Sequence, residues 1–246
     1  MTTELPSTEW LENATPQAIL KWATQTYGPK LTMATAFGAE GCALLDMLAQ
    51  LRDETGIFPD VFNLDTQYQF GQTLSLRAQI ERKYEIKIRV LTPDDGIIAA
   101  EAQSQTEAGE PLYKTDPNSC CYWRKVVPLE EAVTGFDAWI SAIRRDQTPE
   151  RAATAIVGAD RKFDLVKINP LANWTKEQVW DYIRENGVPT NPLHAQGFPS
   201  IGCWPCTKPV QEGEDDRAGR WSGTEKKECG LHVQDNGNDA RRMALH

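Results

Sequence analysis

Long apolar runs are missing from this chain. No stretch approaches 18 apolar residues, so no transmembrane helix is expected. An excess of positive charge is missing as well. Lys and Arg number 26 against 35 Asp and Glu, giving a formal net charge of −9 and a pI near 5.0. A general nucleic-acid binder would carry a basic balance, whereas a small anionic ligand needs only a local basic pocket. The start, Met1-Thr2-Thr3-Glu4-Leu5-Pro6, has no basic region followed by an apolar one, which argues against a secretory signal. The expected compartment is the cytosol, where structural disulfides are rare. There is no internal repeat, no Gly-Lys-Ser/Thr of a Walker loop and no G-x-G-x-x-G. What remains is an ordinary globular composition, 40% hydrophobic and 25% charged over 246 residues. That suits one domain of the larger kind, or one domain with appendages.

The first two thirds alternate strand and helix. Residues 16 to 27 read as a helix ending before Gly28, and Leu31 to Phe37 as a short buried strand. Gly38-Ala39-Glu40-Gly41 reads as a turn and Cys42 to Leu51 as a helix. Further strands are expected at Asp60 to Leu64, Ile86 to Leu91, Asp137 to Ile143 and Leu165 to Ile168, with helical spacing from about Gln72 to Tyr84. Strands separated by helices imply βαβ units, hence an α/β fold with a mostly parallel sheet. Ligands of such sheets lie beyond the carboxyl ends of the strands. Thr175 is a plausible cap for a helix running to about Asn186. Residues 207–246 have little apolar periodicity and read as an extended or mobile tail.

Six cysteines stand in this chain, expected to be reduced: Cys42, Cys120, Cys121, Cys203, Cys206 and Cys229. The adjacent pair Cys120-Cys121 and the C-x-x-C Cys203-Trp204-Pro205-Cys206 form two close pairs far apart in sequence, which favours a metal site over disulfides. Zinc takes four thiolates around one ion, usually from two C-x-x-C knuckles. A [4Fe–4S] cluster takes one thiolate per iron, so adjacent cysteines can each reach one. Spacing favours the cluster, with zinc or a redox pair as alternatives. Cys42 sits in an apolar helix and reads as a small buried hydrophobe. Cys229 lies beside Lys226, Lys227 and His232, and nearby positive charge raises the thiolate fraction.

Other signals each carry a plain alternative. Ala34 to Glu40, between a strand and a helix, can aim backbone N–H groups at an anion or be an ordinary βα turn. Asp65, closing a strand, suits a ribose hydroxyl or a helix cap. Arg144-Arg145 can grip an anion bidentately or be a solvated charge run, and the same holds for Arg217 and Arg220.

Together these pieces resemble a family. Phe37-Gly38-Ala39-Glu40, Leu64-Asp65-Thr66, Cys120-Cys121, Arg144-Arg145-x-Gln147, Cys203-x-x-Cys206 and Glu228-Cys229-Gly230-Leu231-His232 follow one another as in the assimilatory, thioredoxin-dependent adenylyl-sulfate reductases of the phosphoadenylyl-sulfate reductase family. Family members that use the 3′-phosphorylated substrate typically lack the four paired cysteines. The resemblance therefore implies the adenylyl-sulfate branch, with a [4Fe–4S] cluster on Cys120, Cys121, Cys203 and Cys206. It also implies an adenine nucleotide alpha hydrolase-like (PP-loop type) domain over residues 1–206 and a redox tail over 207–246. Departures occur at Thr35-Ala36, Gln67 and Ala142-Ile143, where the family often has serines, glycine and Thr-Gly.

The implied chemistry is reduction of adenylyl sulfate to sulfite and AMP, within sulfate assimilation and cysteine biosynthesis. Cys229 would attack the sulfur and form an S-sulfocysteine, which thioredoxin or a glutaredoxin-type reductant would then resolve. Lys125, Arg217, Arg220 and His232 match the family's anion-binding positions. Phe37, Gly38 and Asp65 would line the nucleotide, with Arg144 either at the substrate or holding the fold. Neither a nucleic-acid nor a membrane partner is expected, and the number of copies in an assembly is left open.

Overall fold

The computed structural model describes residues 8–103, 110–224, 226 and 228. Its sheet has six strands: β1 Leu31–Ala34, β2 Asp60–Leu64, β3 Arg89–Leu91, β4 Ala138–Ile140, β5 Val157–Asp160 and β6 Leu165–Ile168. Their order is β3-β2-β1-β4-β6-β5. β1 runs parallel to β4, β2 to β3 and β4 to β6, while β5 is antiparallel to β6. The helices are α1 Pro16–Tyr27, α2 Ala39–Thr55, α3 Gly71–Tyr84, α4 Asp95–Gln103, α5 Leu112–Thr115, α6 Pro117–Cys121, α7 Val127–Ala132 and α8 Lys176–Asn186. The mostly parallel α/β sheet expected from the sequence is present. Among the described residues no helix is long and apolar enough to cross a membrane.

Contacts divide the chain into two compact units, each made of three segments. The first comprises residues up to Val61, Ile80–Ile88 and Gly135–Thr190. Its local rules are plain. Thr15 caps α1, its side chain accepting from Ala18 N at 3.2 Å, and Pro16 fills the first helical position. Thr175 and Gln178 form a reciprocal capping box on α8, and Gly187 ends that helix at φ 56°. α2 is apolar nearly all round, and it packs against both α1 and α8. Leu44, Leu45 and Leu48 on it are fully buried, each contributing about 1.5–3 kcal/mol relative to exposure. Inside this apolar packing lies one carboxylate. Asp46 accepts from Tyr84 Oη at 2.8 Å, Tyr182 Oη at 2.6 Å and Gln50 Nε2 at 2.8 Å, tying α2 to the end of α3 and the middle of α8. Burial pushes both tyrosine hydroxyls well above their usual range, and their bonds to Asp46 push the same way. Cys42 is fully buried in α2, and burial raises its thiol to about 12, as befits an inert core cysteine.

The second unit comprises Phe62–Gln79, Arg89–Thr134 and the residues from Asn191 onward. The stretch from Thr207 to Trp221, expected as extended chain, folds back on itself. Thr207 and Arg220 form an antiparallel bridge, and Lys208 N donates to Gly219 O at 2.9 Å. Gly219 is required there, since a Cβ would lie 2.1 Å from Lys208 O.

Candidate active site

Both cysteine pairs belong to the second unit, and its local structure explains how they are presented. Asp116 caps the short α6, accepting from Asn118 N at 3.0 Å, Ser119 N at 3.1 Å and Ser119 Oγ at 2.5 Å. Burial alone would raise this carboxyl, but the Ser119 and Asn118 hydrogen bonds and the Lys226 charge hold it below its usual range. Pro117 occupies the first turn, and Cys120 and Cys121 follow, both buried. The backbone then widens into a π-turn over Tyr122–Val126, a geometry frequent at functional sites. That segment carries Arg124 and Lys125.

The other pair sits on a single tight turn. Cys206 N donates to Cys203 O at 3.0 Å, and Thr207 Oγ1 donates to the same carbonyl at 2.9 Å. Thr66 Oγ1 lies 3.2 Å from Cys203 Sγ. A pocket partly open to solvent gathers Cys120, Cys121, Cys203 and Cys206 with Lys125 and Arg220. None of the five described cysteines is in a disulfide. The Cys206 thiol is raised, by burial first and then by Cys203 and Cys121, against the opposing pull of Lys125 and Arg220. Four thiols with cations beside them can hold a group that binds thiolates. Among the described residues, however, no three Cys, His, Asp or Glu side chains converge to hold one metal ion.

The cationic rim is built around Trp221. This residue is buried and holds φ at 47°, a strained conformation for a bulky side chain. Its N–H donates to Cys206 O at 3.0 Å. Arg220 stacks over its ring at 4.5 Å, with Lys226 at 5.6 Å and Arg217 at 5.9 Å. Arg220 donates from Nη1 to Ser200 Oγ at 3.3 Å, while its Nε is buried and makes no hydrogen bond. Arg217 pairs with Glu228 at 3.2 Å. Thus Lys125 and Arg220 reach the pocket, and Arg217 holds the residue before Cys229. Cys229 and His232 themselves lie outside the described residues.

The strand ends carry the remaining candidates. After β1, Thr35 Oγ1 accepts from Phe37 N at 3.1 Å, and Phe37 takes φ 57°. After β2, Asp65 Oδ1 accepts from Gln67 N at 3.0 Å, and Gln67 takes φ 62°. Asp65 therefore closes a turn and is not a helix cap, because α3 begins only at Gly71. Gly38 is extended at the start of α2. Arg144 is buried and is held by Glu40 and by Asp146, the latter at 2.8 Å, with Gln147 Nε2 also on Glu40 at 3.1 Å. Of the two readings open for Arg144, its contacts are those of a residue that holds the fold.

Sequence reasoning gave Thr66 no role beyond its place in the Leu64-Asp65-Thr66 motif and passed over Arg124 and Trp221. Arg124 was findable, since it stands three residues after Cys121, one helical turn on. Trp221 was passed over although its stacking partners Arg217, Arg220 and Lys226 are all near it in sequence.

Residues 30–209 match the phosphoadenosine phosphosulfate reductase domain. The chain belongs to that family. Among its relatives, an adenosine 5′-phosphosulfate reductase of Halalkalibacterium halodurans is 44% identical over 223 residues, 90% of this chain and 93% of that protein. One from Staphylococcus epidermidis is 45% identical over 218 residues, 88% of this chain and 86% of its own. A crystal structure of phosphoadenylyl-sulfate reductase from Candida auris, in a phosphate complex, superposes with a TM-score of 0.66 at 28% identity, covering 81% of this chain and 97% of its own. Yeast FAD synthetase, 14% identical with a TM-score of 0.55 over 82% of this chain and 67% of its own, shares the fold alone. This family member thus has the PP-loop nucleotide alpha hydrolase architecture expected from its motifs.

Proposed function

We propose that this chain reduces adenylyl sulfate to sulfite and AMP through a thiolate on Cys229. The observation that carries the reading is one pocket lined by four cysteines beside Lys125 and Arg220, in a chain 44–45% identical to adenosine 5′-phosphosulfate reductases. The substrate is a mixed anhydride with an electrophilic sulfur and a good leaving phosphate. The Cys229 thiolate attacks that sulfur, an S–S bond forms, the S–O bond breaks, and AMP leaves with the bond's electrons. A dithiol of the thioredoxin or glutaredoxin type then attacks Cys229 Sγ and expels sulfite. Its second thiol attacks the resulting mixed disulfide, which returns Cys229 as thiolate and leaves the reductant oxidised by two electrons. Lys125 and Arg220 offer charge to the anionic substrate, strengthened where water is reduced. Arg217, through Glu228, steadies the chain entering Cys229.

The four cysteines suit a [4Fe–4S] cluster better than zinc. Zinc needs its thiolates converging on one ion, usually from two C-x-x-C knuckles, while a cubane spreads them over four irons, so the adjacent Cys120 and Cys121 can each reach one. Cys120, Cys121, Cys203 and Cys206 would hold it, and when bound it supplies a fixed, charge-bearing anchor for four thiolates. The electrons of the reaction come from thiols. Such a cluster and such a reductant both belong to a reducing compartment such as the cytoplasm.

The test is sulfite release from adenylyl sulfate and from its 3′-phosphorylated form, by anaerobically purified protein with iron and sulfide measured. About four irons per chain and preference for adenylyl sulfate are expected. Preference for the phosphorylated nucleotide would overturn the substrate assignment, and colourless protein holding one zinc would overturn the cluster.

A further inference from the structure

Cys121 and Cys203 lie 82 residues apart in sequence, yet their pairs face one pocket. The turn from Thr66 to Tyr68 touches both. Toward the first pair, Arg124 Nη1 donates to Thr66 O at 2.9 Å and to Gln67 Oε1 at 3.2 Å, and the guanidinium lies 4.4 Å over the Tyr68 ring. Toward the second, Thr66 Oγ1 lies 3.2 Å from Cys203 Sγ, and Tyr68 O accepts from Trp204 N at 2.8 Å. Tyr68, Tyr113 and Trp204 pack edge to face around this junction, with centroids 5.3–6.2 Å apart. Arg124 is 8% exposed, so its bonds are largely shielded from water.

Gln67 is the telling residue. At φ 62°, glycine would hold its backbone at lower cost but would give Arg124 no second acceptor.

We propose that Arg124 is a positioning residue. With the Thr66–Tyr68 turn it forms a rigid spacer that sets the separation of the two cysteine pairs, and Gln67 is this chain's lock on that spacer. The inference rests on the iron–sulfur reading above. It predicts how long the cluster stays bound, independently of turnover.

The experiment uses anaerobically purified, iron-loaded full chain. Decay of its visible absorbance is followed in excess iron chelator, with thermal unfolding recorded alongside. Arg124→Lys loses the planar guanidinium stacked on Tyr68 and is expected to release iron about tenfold faster, the scale set by bonds to a buried charge. Gln67→Gly is expected to release it about threefold faster, although its backbone is relaxed. Gln67→Glu keeps an acceptor and is expected to stay within about twofold of the native rate. Gln67→Gly holding iron as long as the native protein would overturn the lock, as would equal rates for the Gly and Glu variants. Arg124→Lys at the native rate would overturn the spacer. Should Arg124→Lys fail to fold, the two Gln67 variants decide between them. Native protein without iron and sulfide would overturn the cluster reading and the spacer together, which separates that failure from the others.

Discussion

Gly202 is the position where one added carbon should disable the site without unfolding the protein. A Cβ there would lie 2.2 Å from Arg220 Nη2, 2.6 Å from Cζ and 3.0 Å from Nη1. Ordinary contact begins near 3.4 Å, so the guanidinium must withdraw by about 1.2 Å, the difference between the two distances. The obstacle is the far end of a flexible side chain, so the backbone can stay. The withdrawal breaks the 3.3 Å bond to Ser200 and weakens the stacking on Trp221, together worth about 1–2 kcal/mol at most. Its effect on rate should be larger, because misplacing a positioned cation by about 1 Å costs on the order of a hundredfold. Gly202→Ala is therefore expected to lower kcat/KM for sulfite release about a hundredfold, with thermal stability nearly kept. The decisive control is the double variant. If Gly202→Ala acts through Arg220, adding it to Arg220→Ala changes nothing further. Full activity in Gly202→Ala, or additive losses in the double variant, would refute the argument.

Cys229→Ser should abolish sulfite release while leaving the visible spectrum intact, whereas Cys203→Ser should lose colour and activity together; assays of both against absorbance separate nucleophile from ligand. Tyr182→Phe removes one donor from Asp46 and should cost about 1.5–3 kcal/mol in denaturant unfolding. Tyr84 and Tyr182 have raised folded pKa values, so their stabilisation is complete below the unfolded value near 10 and declines as pH rises beyond it. Tyr182→Phe should flatten that alkaline decline, and an unchanged unfolding curve above about pH 10 would contradict this. Asp116 has the opposite sign. Its folded pKa is lowered, so its contribution is complete above the unfolded value of 3.8 and is lost as pH falls through the folded one. Asp116→Asn should blunt acid unfolding while keeping the cap.

Much of the architecture was legible because local signals agreed with the fold. Thr15-Pro16 and Gly28 bracket α1, and Thr175 with Gln178 opens α8, each by bonds between near neighbours. The errors lie where side chains redirect the backbone. β1 stops at Ala34 because the Thr35 hydroxyl turns the chain at Phe37. Ile86 to Ile88 stay out of β3 because their N–H groups go to Glu81, through its carbonyl at 3.2 Å and its carboxylate at 3.0 Å. β5 was missed altogether: it is an edge strand, holds Gly158, and shows no buried alternation. At the site, residue types revealed the thiols and the cations Lys125 and Arg220. The contacts of Arg124 arise from a chain segment distant in sequence, which no local pattern encodes.

The two units alternate along the chain, three segments each, so the polypeptide passes between them five times. Neither can be cut out as a continuous fragment. During synthesis the consequence is a waiting time. At about 5–20 residues per second, the 82 residues from Cys121 to Cys203 take about 4–16 s to emerge. For that interval Cys120 and Cys121 exist without their counterparts, and the Thr66–Tyr68 turn has only one side to hold. All four cysteines can hold a common group only once Cys206 has emerged, so the first pair waits on the second.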